Sequence, residues 1–333
     1  MSSRNLQVLL AERPEGWVEP RHFRLHEAPM PVPADGEVLV RNLWLSLDPY
    51  MRGRMSDAKS YAEPVALGAV MIGGTAGEVV DSRHPDLRPG DKVVGMLGWQ
   101  LYGCAPGKAL TKVDARHVPL QAYLGPVGMP GVTAWYGLNR ICEPRPGETV
   151  VVTAASGAVG SVVGQLAKAQ GCRVVGVAGG EAKCRYVTDE LGFDACVDYK
   201  AGRLGADLKA ALGDGAHCLF ENVGGEIFDR LLGLMRPFGR IALCGTISDY
   251  NATEPYRMRN VRAVLVQRLK LQGFIVSEHM ELWPQALREL GALAATGKLH
   301  WRESVAEGLE QAPQAFIGLL RGENFGKQLV RLG

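Results

Sequence analysis

Between residues 149 and 276 the chain carries six short, unbroken apolar runs, and they limit its fold more than any other feature. They are 149–153 (TVVVT), 173–178 (RVVGVA), 195–199 (ACVDY), 217–222 (HCLFEN), 240–245 (RIALCG) and 271–276 (LQGFIV). A strand with one face in water alternates apolar and polar residues, so a run without alternation reads as a strand buried on both faces. Helix-like segments separate the runs. Together they predict a doubly wound, parallel, six-stranded sheet covered by helices.

The first third has a different texture. Short β-branched runs such as EVLVRNLWLSL, GEVVDS and DKVVGML lie between turn signals, including Pro33-Ala34-Asp35-Gly36 and Arg88-Pro89-Gly90-Asp91. Many short strands with glycine and proline corners predict a compact, partly open barrel. After Lys298 the chain turns strand-like again and ends in GKQLVRL. A length of 333 residues suits two domains. The expected division is 1–125 with 298–333 for the β domain, and 126–297 for the α/β domain.

The run TVVVT leads directly into Ala155-Ser156-Gly157-Ala158-Val159-Gly160 and then into SVVGQLAKAQG, a helix with small residues on one face. Strand, glycine loop and helix in that order form a dinucleotide site. Gly157 lets the backbone approach a pyrophosphate, Gly160 lets helix and strand pack closely, and the helix N-terminus offers free N–H groups. Alanine stands at 155 where the fingerprint has its first glycine. The next run decides which dinucleotide. An NAD site ends this strand with an acid for the ribose 2′-hydroxyl, but here it ends in Ala178-Gly179-Gly180, followed by Glu181, Lys183 and Arg185. A lysine there suits a 2′-phosphate, so NADPH is expected, with Lys183 as its cation and the Tyr199 phenol as a further donor.

Other classes are disfavoured. Net charge is +2 with signs interspersed, which offers nucleic acid no basic tract. No apolar stretch approaches the roughly 18 residues of a membrane span, and MSSRNLQVLL lacks a signal-peptide core, which reads as cytoplasmic. The seven cysteines are scattered singly with no C-x-x-C pair, as for reduced thiols. His22 and His26 lie in RHFRLHEAP, which reads as one alternating strand pointing both the same way, but no nearby ligand completes a metal set.

Four stretches carry a resemblance: LSLDPYMRGRM (45–55), YLGPVGMPGVTAWYGL (123–138), ENVGG with CGTISDYN (221–225 and 244–251), and ENFGKQLVRL (323–332). In these the chain resembles the zinc-independent medium-chain dehydrogenase/reductases, specifically the group of prostaglandin, leukotriene and bacterial curcumin reductases. The resemblance implies a GroES-like barrel built from both chain ends around a Rossmann domain, a homodimer, and NADPH-dependent reduction of a carbon–carbon double bond conjugated to a carbonyl. It places cofactor contacts on Ala155, Gly157, Ala158, Val159, Gly160, Lys183, Tyr199, Asn222, Cys244, Gly245, Thr246, Ile247, Ser248, Tyr250, Phe274, Ile275, Val276 and Asn324. Zinc-dependent relatives carry a His-Glu pair where Gly73-Gly74 stands here, so no metal is implied.

Without a metal, hydroxyl groups must stabilise the enolate oxygen, and a pre-aimed donor contributes roughly 2.7–4 kcal/mol. Tyr250, beyond the fifth strand of the sheet, Tyr50 in DPYMRGRM and Tyr61 in SYAEP are the candidates. Arg52 and Arg54 read as salt-bridge partners or as liners of the cofactor phosphates. The rival functions are a quinone reductase of the same superfamily and a non-catalytic NADPH-binding sensor.

Overall fold

The computed structural model describes residues 4–333. Its strands run β1 (Arg4–Leu10), β2 (Phe23–Pro29), β3 (Glu37–Ser46), β4 (Thr75–Ser82), β5 (Lys92–Gly95), β6 (Tyr102–Pro106), β7 (Thr111–Lys112), β8 (Thr149–Thr153), β9 (Arg173–Ala178), β10 (Ala195–Asp198), β11 (Ala216–Glu221), β12 (Met235–Leu243), β13 (Lys270–Gly273), β14 (Glu303–Glu307) and β15 (Lys327–Arg331). The α-helices are α1 (Tyr50–Arg54), α2 (Met129–Tyr136), α3 (Gly160–Ala169), α4 (Glu181–Arg185), α5 (Leu204–Leu212), α6 (Gly225–Leu232), α7 (Arg262–Val266), α8 (Trp283–Ala295) and α9 (Ala312–Leu320). The chain divides into two compact units, one running up to Leu124 and resuming at Glu303–Gly333, the other Gly125–Arg302. Among the described residues no helix is long and apolar enough to cross a membrane.

The first unit is built on a mixed sheet of order β14-β15-β3-β4-β5-β7, with β6 also on β3, and a β1–β2 pair beside it. Its core gathers Val8, Leu45, Met51, Met71, Trp99 and Phe316. Phe23 stacks on Trp99 at 5.5 Å, and Phe316 meets the same indole edge-on at 5.6 Å. The two chain ends are also joined by a buried ion pair, Lys327 Nζ to Asp48 Oδ1 at 2.7 Å. The tail is not all strand, because α9 intervenes between β14 and β15. Proline near its start suits the first turn, and Phe316, Ile317, Leu319 and Leu320 are buried on one side.

In the second unit all six strands are parallel, in the order β10-β9-β8-β11-β12-β13. β8 is buried along its whole length and β9 along all but its first residue, which is why neither shows alternation in the sequence. The order reverses between β8 and β11, and the crevice beyond the carboxyl ends of these strands is where such sheets bind ligands. β13 is shorter than its apolar run. It ends at Gly273, leaving Phe274, Ile275 and Val276 beyond the carboxyl end of the sheet.

One expectation about side chains needs correction. His22 ends a 3-10 turn (Pro20–His22) rather than sharing a strand with His26; it is buried, and its Nδ1 accepts the Glu19 N–H at 2.8 Å. All seven cysteines are free thiols, and some of them meet in the fold. The Cys218 thiol donates to the Cys142 carbonyl at 3.3 Å, and the Cys184 and Cys196 thiols hydrogen-bond each other. Burial raises both members of the second pair, so they stand as neutral thiols.

Candidate active site

The turn after β8 closes without the first glycine of the fingerprint. The left-handed conformation falls on Ala154, at φ 50°, and not on Ala155, which is buried and points into the strand layer. Gly157 donates its N–H back to the Ala154 carbonyl at 2.8 Å, closing the turn. Gly160 is required by close approach, since a Cβ there would lie 3.0 Å from the Ala155 Cα and press on the Ala154 carbonyl. Among the described residues, the backbone N–H groups of Ala158, Val159 and Gly160 donate to no carbonyl. Three consecutive free amides at the start of a ten-residue helix form an anion cradle.

Beyond β9 and β10 the chain assembles a cationic corner. Tyr199 lies against the backbone of Gly179, where a Cβ would sit 2.7 Å from its hydroxyl. The Asp198 carboxylate accepts the Gly180 N–H at 2.8 Å and the Lys200 N–H at 2.9 Å, tying the two strand exits together. Lys200 Nζ lies 5.8 Å from the Tyr199 ring centre. Burial lowers the Lys183 ammonium from its ordinary value, and the nearby charge of Lys200 lowers it further. No local pattern pairs Lys200 with Lys183; the turn after Asp198 brings the two charges near each other.

Between β11 and β12 the centre is Glu221, fully buried at the switch point. One carboxyl oxygen accepts the Thr153 hydroxyl at 3.0 Å, the Val223 N–H at 2.5 Å and the Gly224 N–H at 2.8 Å. The other oxygen has no partner among the described residues. Asn222 donates from its backbone to the Thr153 hydroxyl and from its side chain to the Thr153 carbonyl, each at 2.8 Å. Cys244 and Gly245 donate their amides to the Glu221 carbonyl, Ile247 to Asn222 and Ser248 to Val223. Thr246 and Ser248 close over Gly224 and Gly225, both at positive φ. The Tyr250 hydroxyl lies over Gly245, 3.1 Å from where a Cβ would stand. Burial pushes the Cys244 thiol up to about 12. A glutamate directly after the apolar Cys218-Leu219-Phe220 was the sequence trace of this knot, and its role was missed.

The other candidates lie in the first unit. Tyr50 packs against the Met51–Trp99 core. Burial, with the charge of Asp48, pushes its phenol far above the ordinary value, so it is a neutral donor. The Arg54 guanidinium sits 5.9 Å from the Tyr50 ring centre and 4.8 Å from that of Tyr61, linking the two. Arg52 is buried and donates to the carbonyls of Pro14 and Gly16 at 3.2 and 2.9 Å, a structural use rather than a phosphate contact. Asn324 donates to the Gly326 carbonyl at 2.7 Å. Gly73 is enclosed, with Leu45 and Trp99 side-chain atoms 2.9 and 3.0 Å from a notional Cβ, so a larger side chain there would have to displace them.

Two family models match: "N-terminal domain of oxidoreductase" over residues 6–113, and "Zinc-binding dehydrogenase" over residues 158–292. The chain is 48% identical to the NADPH-dependent curcumin reductase of Escherichia coli (strain K12), covering 99% of this chain and 97% of that one. It is 41% identical to the NADP(+)-dependent 2-alkenal reductase of Nicotiana tabacum, covering 98% and 97%. It belongs to the zinc-independent medium-chain dehydrogenase/reductases. Among solved members, CurA from Vibrio vulnificus in complex with NADPH superposes with a TM-score of 0.94 at 45% identity, covering 98% of this chain and 99% of that one. The mixed-sheet unit is thus the GroES-like part of this reductase fold, and the parallel sheet is its Rossmann part. Although one matching family model is described as zinc-binding, the described residues of this member bring together no group of three His, Cys, Asp or Glu side chains suited to a metal.

Proposed function

We propose that this reductase uses NADPH to reduce the carbon–carbon double bond of α,β-unsaturated ketones and aldehydes. The observation that carries the cofactor is the pairing of three free amides at the start of α3 with the Lys183–Lys200 corner beyond β9 and β10. The amides of Ala158, Val159 and Gly160 hold the pyrophosphate, with Ala155 and Gly157 shaping the turn. A 2′-phosphate between Lys183 and Lys200 gives the Lys183 ammonium, lowered by burial and then by the charge of Lys200, an anionic partner, and Tyr199 adds its phenol. NADH has no group to place there. Within the same unit, the segment from Cys244 to Tyr250, with Asn222, Phe274, Ile275 and Val276, completes the contacts to the cofactor.

When bound, NADPH supplies the hydride for the β-carbon; the chain must orient the partners and manage the oxygen. The hydroxyl donor for the developing enolate oxygen is one of Tyr250, Tyr50 and Tyr61. A phenol held neutral by burial, as in Tyr50, can donate to an oxyanion without competing with it for charge. Support for the substrate class comes from the relatives, whose names specify curcumin and 2-alkenals. The working form is a homodimer formed through the open edge of β13, where Leu271, Leu265, Val266, Val261 and Phe238 are all exposed.

The test is NADPH oxidation with a panel of enones and enals, run beside a quinone and a saturated alcohol. Saturable turnover of the unsaturated carbonyls, weak with NADH and with the other two compounds, is expected. Preference for the quinone would replace this reading with a quinone reductase. Tight NADPH binding without oxidation by any panel member would favour a sensor.

A further inference from the structure

We infer that Tyr136 and His279 form a brace that positions the nicotinamide-side segment Phe274–Val276, making Tyr136 a positioning residue for cofactor binding. The inference rests on the NADPH reading above, and extends it to two residues to which the sequence assigned no role. In this strand order a dinucleotide lies across the carboxyl ends of the sheet, its adenosine half over β9 and β10 and its nicotinamide half over β11 to β13. Phe274, Ile275 and Val276 follow β13 immediately and so belong to the second half.

What holds this segment is not the sheet, which ends at Gly273. The Tyr136 hydroxyl and His279 Nε2 share a hydrogen bond of 2.8 Å, and their rings stack at 4.3 Å with an interplanar angle of 16°. Tyr136 is buried and also packs on Phe274 at 5.3 Å, while Phe274 meets Phe220 of β11 edge-on at 6.2 Å. The Val276 carbonyl accepts the His279 N–H at 3.2 Å and the Trp283 indole N–H at 3.1 Å. Gly137, next to Tyr136, lets the helix approach, since a Cβ there would lie 2.5 Å from the Phe220 ring and 3.0 Å from Phe274. A single ring therefore contacts both ends of the segment: Phe274 at its start, and His279, which carries the Val276 carbonyl, beyond its end.

The adenosine half of the cofactor does not touch this brace, and that separates positioning from general stability. Tyr136→Phe keeps the ring contacts and deletes only the hydroxyl. The loss of one neutral hydrogen bond predicts about a fivefold rise in KM for NADPH. The inhibition constant of 2′,5′-ADP, which occupies only the adenosine side, should not change. His279→Gln, at a partly exposed position, retains a donor and should recover most of the affinity, whereas His279→Ala should match Tyr136→Phe. Should Tyr136→Phe fail to fold, the His279 pair carries the comparison. Unchanged KM in both Tyr136→Phe and His279→Ala overturns the brace, and so does an equal weakening of NADPH and 2′,5′-ADP. Wild-type protein that binds neither compound overturns the cofactor assignment, and the brace with it.

Discussion

Glu221 gives the Rossmann unit a pH dependence of opposite sign to that of an ordinary paired carboxylate. Burial is the dominant influence and raises its carboxyl from 4.5 to about 7, against the pull of the Gly224 and Val223 amides and the Thr153 hydroxyl. The folded protein therefore holds this proton more tightly than the unfolded chain. The resulting stability is complete below the unfolded value and is lost as pH rises from 4.5 to about 7. At ~1.4 kcal/mol per pKa unit the whole effect is roughly 3 kcal/mol, of which about 2.5 kcal/mol falls between pH 5 and pH 8. Glu221→Gln keeps an oxygen for the three donors but cannot titrate. Urea unfolding of both proteins across this range should show the wild type losing that stability relative to the variant. Parallel curves would refute the reasoning. A wild type that gains on the variant with pH would mean that the three donors outweigh burial and hold Glu221 ionised.

Other consequences are more local. Lys183→Ala should raise KM for NADPH by roughly 10- to 100-fold, the loss of a charge-assisted contact, with KM for NADH nearly unchanged; Lys200→Ala should shift it less, in the same direction. Equal effects on both nucleotides in steady-state assays would remove these lysines from the 2′-phosphate. Gly160→Ala puts a methyl 3.0 Å from the Ala155 Cα and the Ala154 carbonyl carbon. Overpacking of this kind costs about 1–3 kcal/mol, seen as a lower thermal midpoint together with weaker NADPH binding. Leu271→Lys places a charge on the open edge of β13 and should shift the protein from dimer to monomer in analytical ultracentrifugation, leaving its circular dichroism unchanged.

The parallel sheet was legible because burial on both faces removes alternation, and the match at β8 and β9 is complete to the residue. Elsewhere the pattern misplaced the ends. β12 starts at Met235, before its apolar run, and continues through Phe238 at φ 62°, a left-handed residue that no strand periodicity anticipates. β13 stops where its run is still apolar, because Phe274 packs against Tyr136 and Phe220 instead of continuing the strand. The helix in the tail was hidden by apolar residues, APQAFIGLL, read beside a genuine terminal strand.

The features that sequence reading missed have one physical property in common: each is a relation between elements rather than a local pattern. Glycine loops are legible because backbone geometry demands particular residues at fixed spacing. Nothing about Tyr136 requires a histidine at 279, and nothing about Lys183 requires a lysine at 200; these residues meet only because parallel crossovers return the chain to one end of the sheet. The same holds for Cys142 with Cys218 and for Thr153 with Glu221, pairs joined across neighbouring elements. The carboxyl end of the sheet thus concentrates groups from distant parts of the chain. On the proposed reading, the glycine loop and Lys183 are local signals for a pyrophosphate and a 2′-phosphate, whereas Lys200 and the bracing of the nicotinamide side depend on side chains that only the fold brings together.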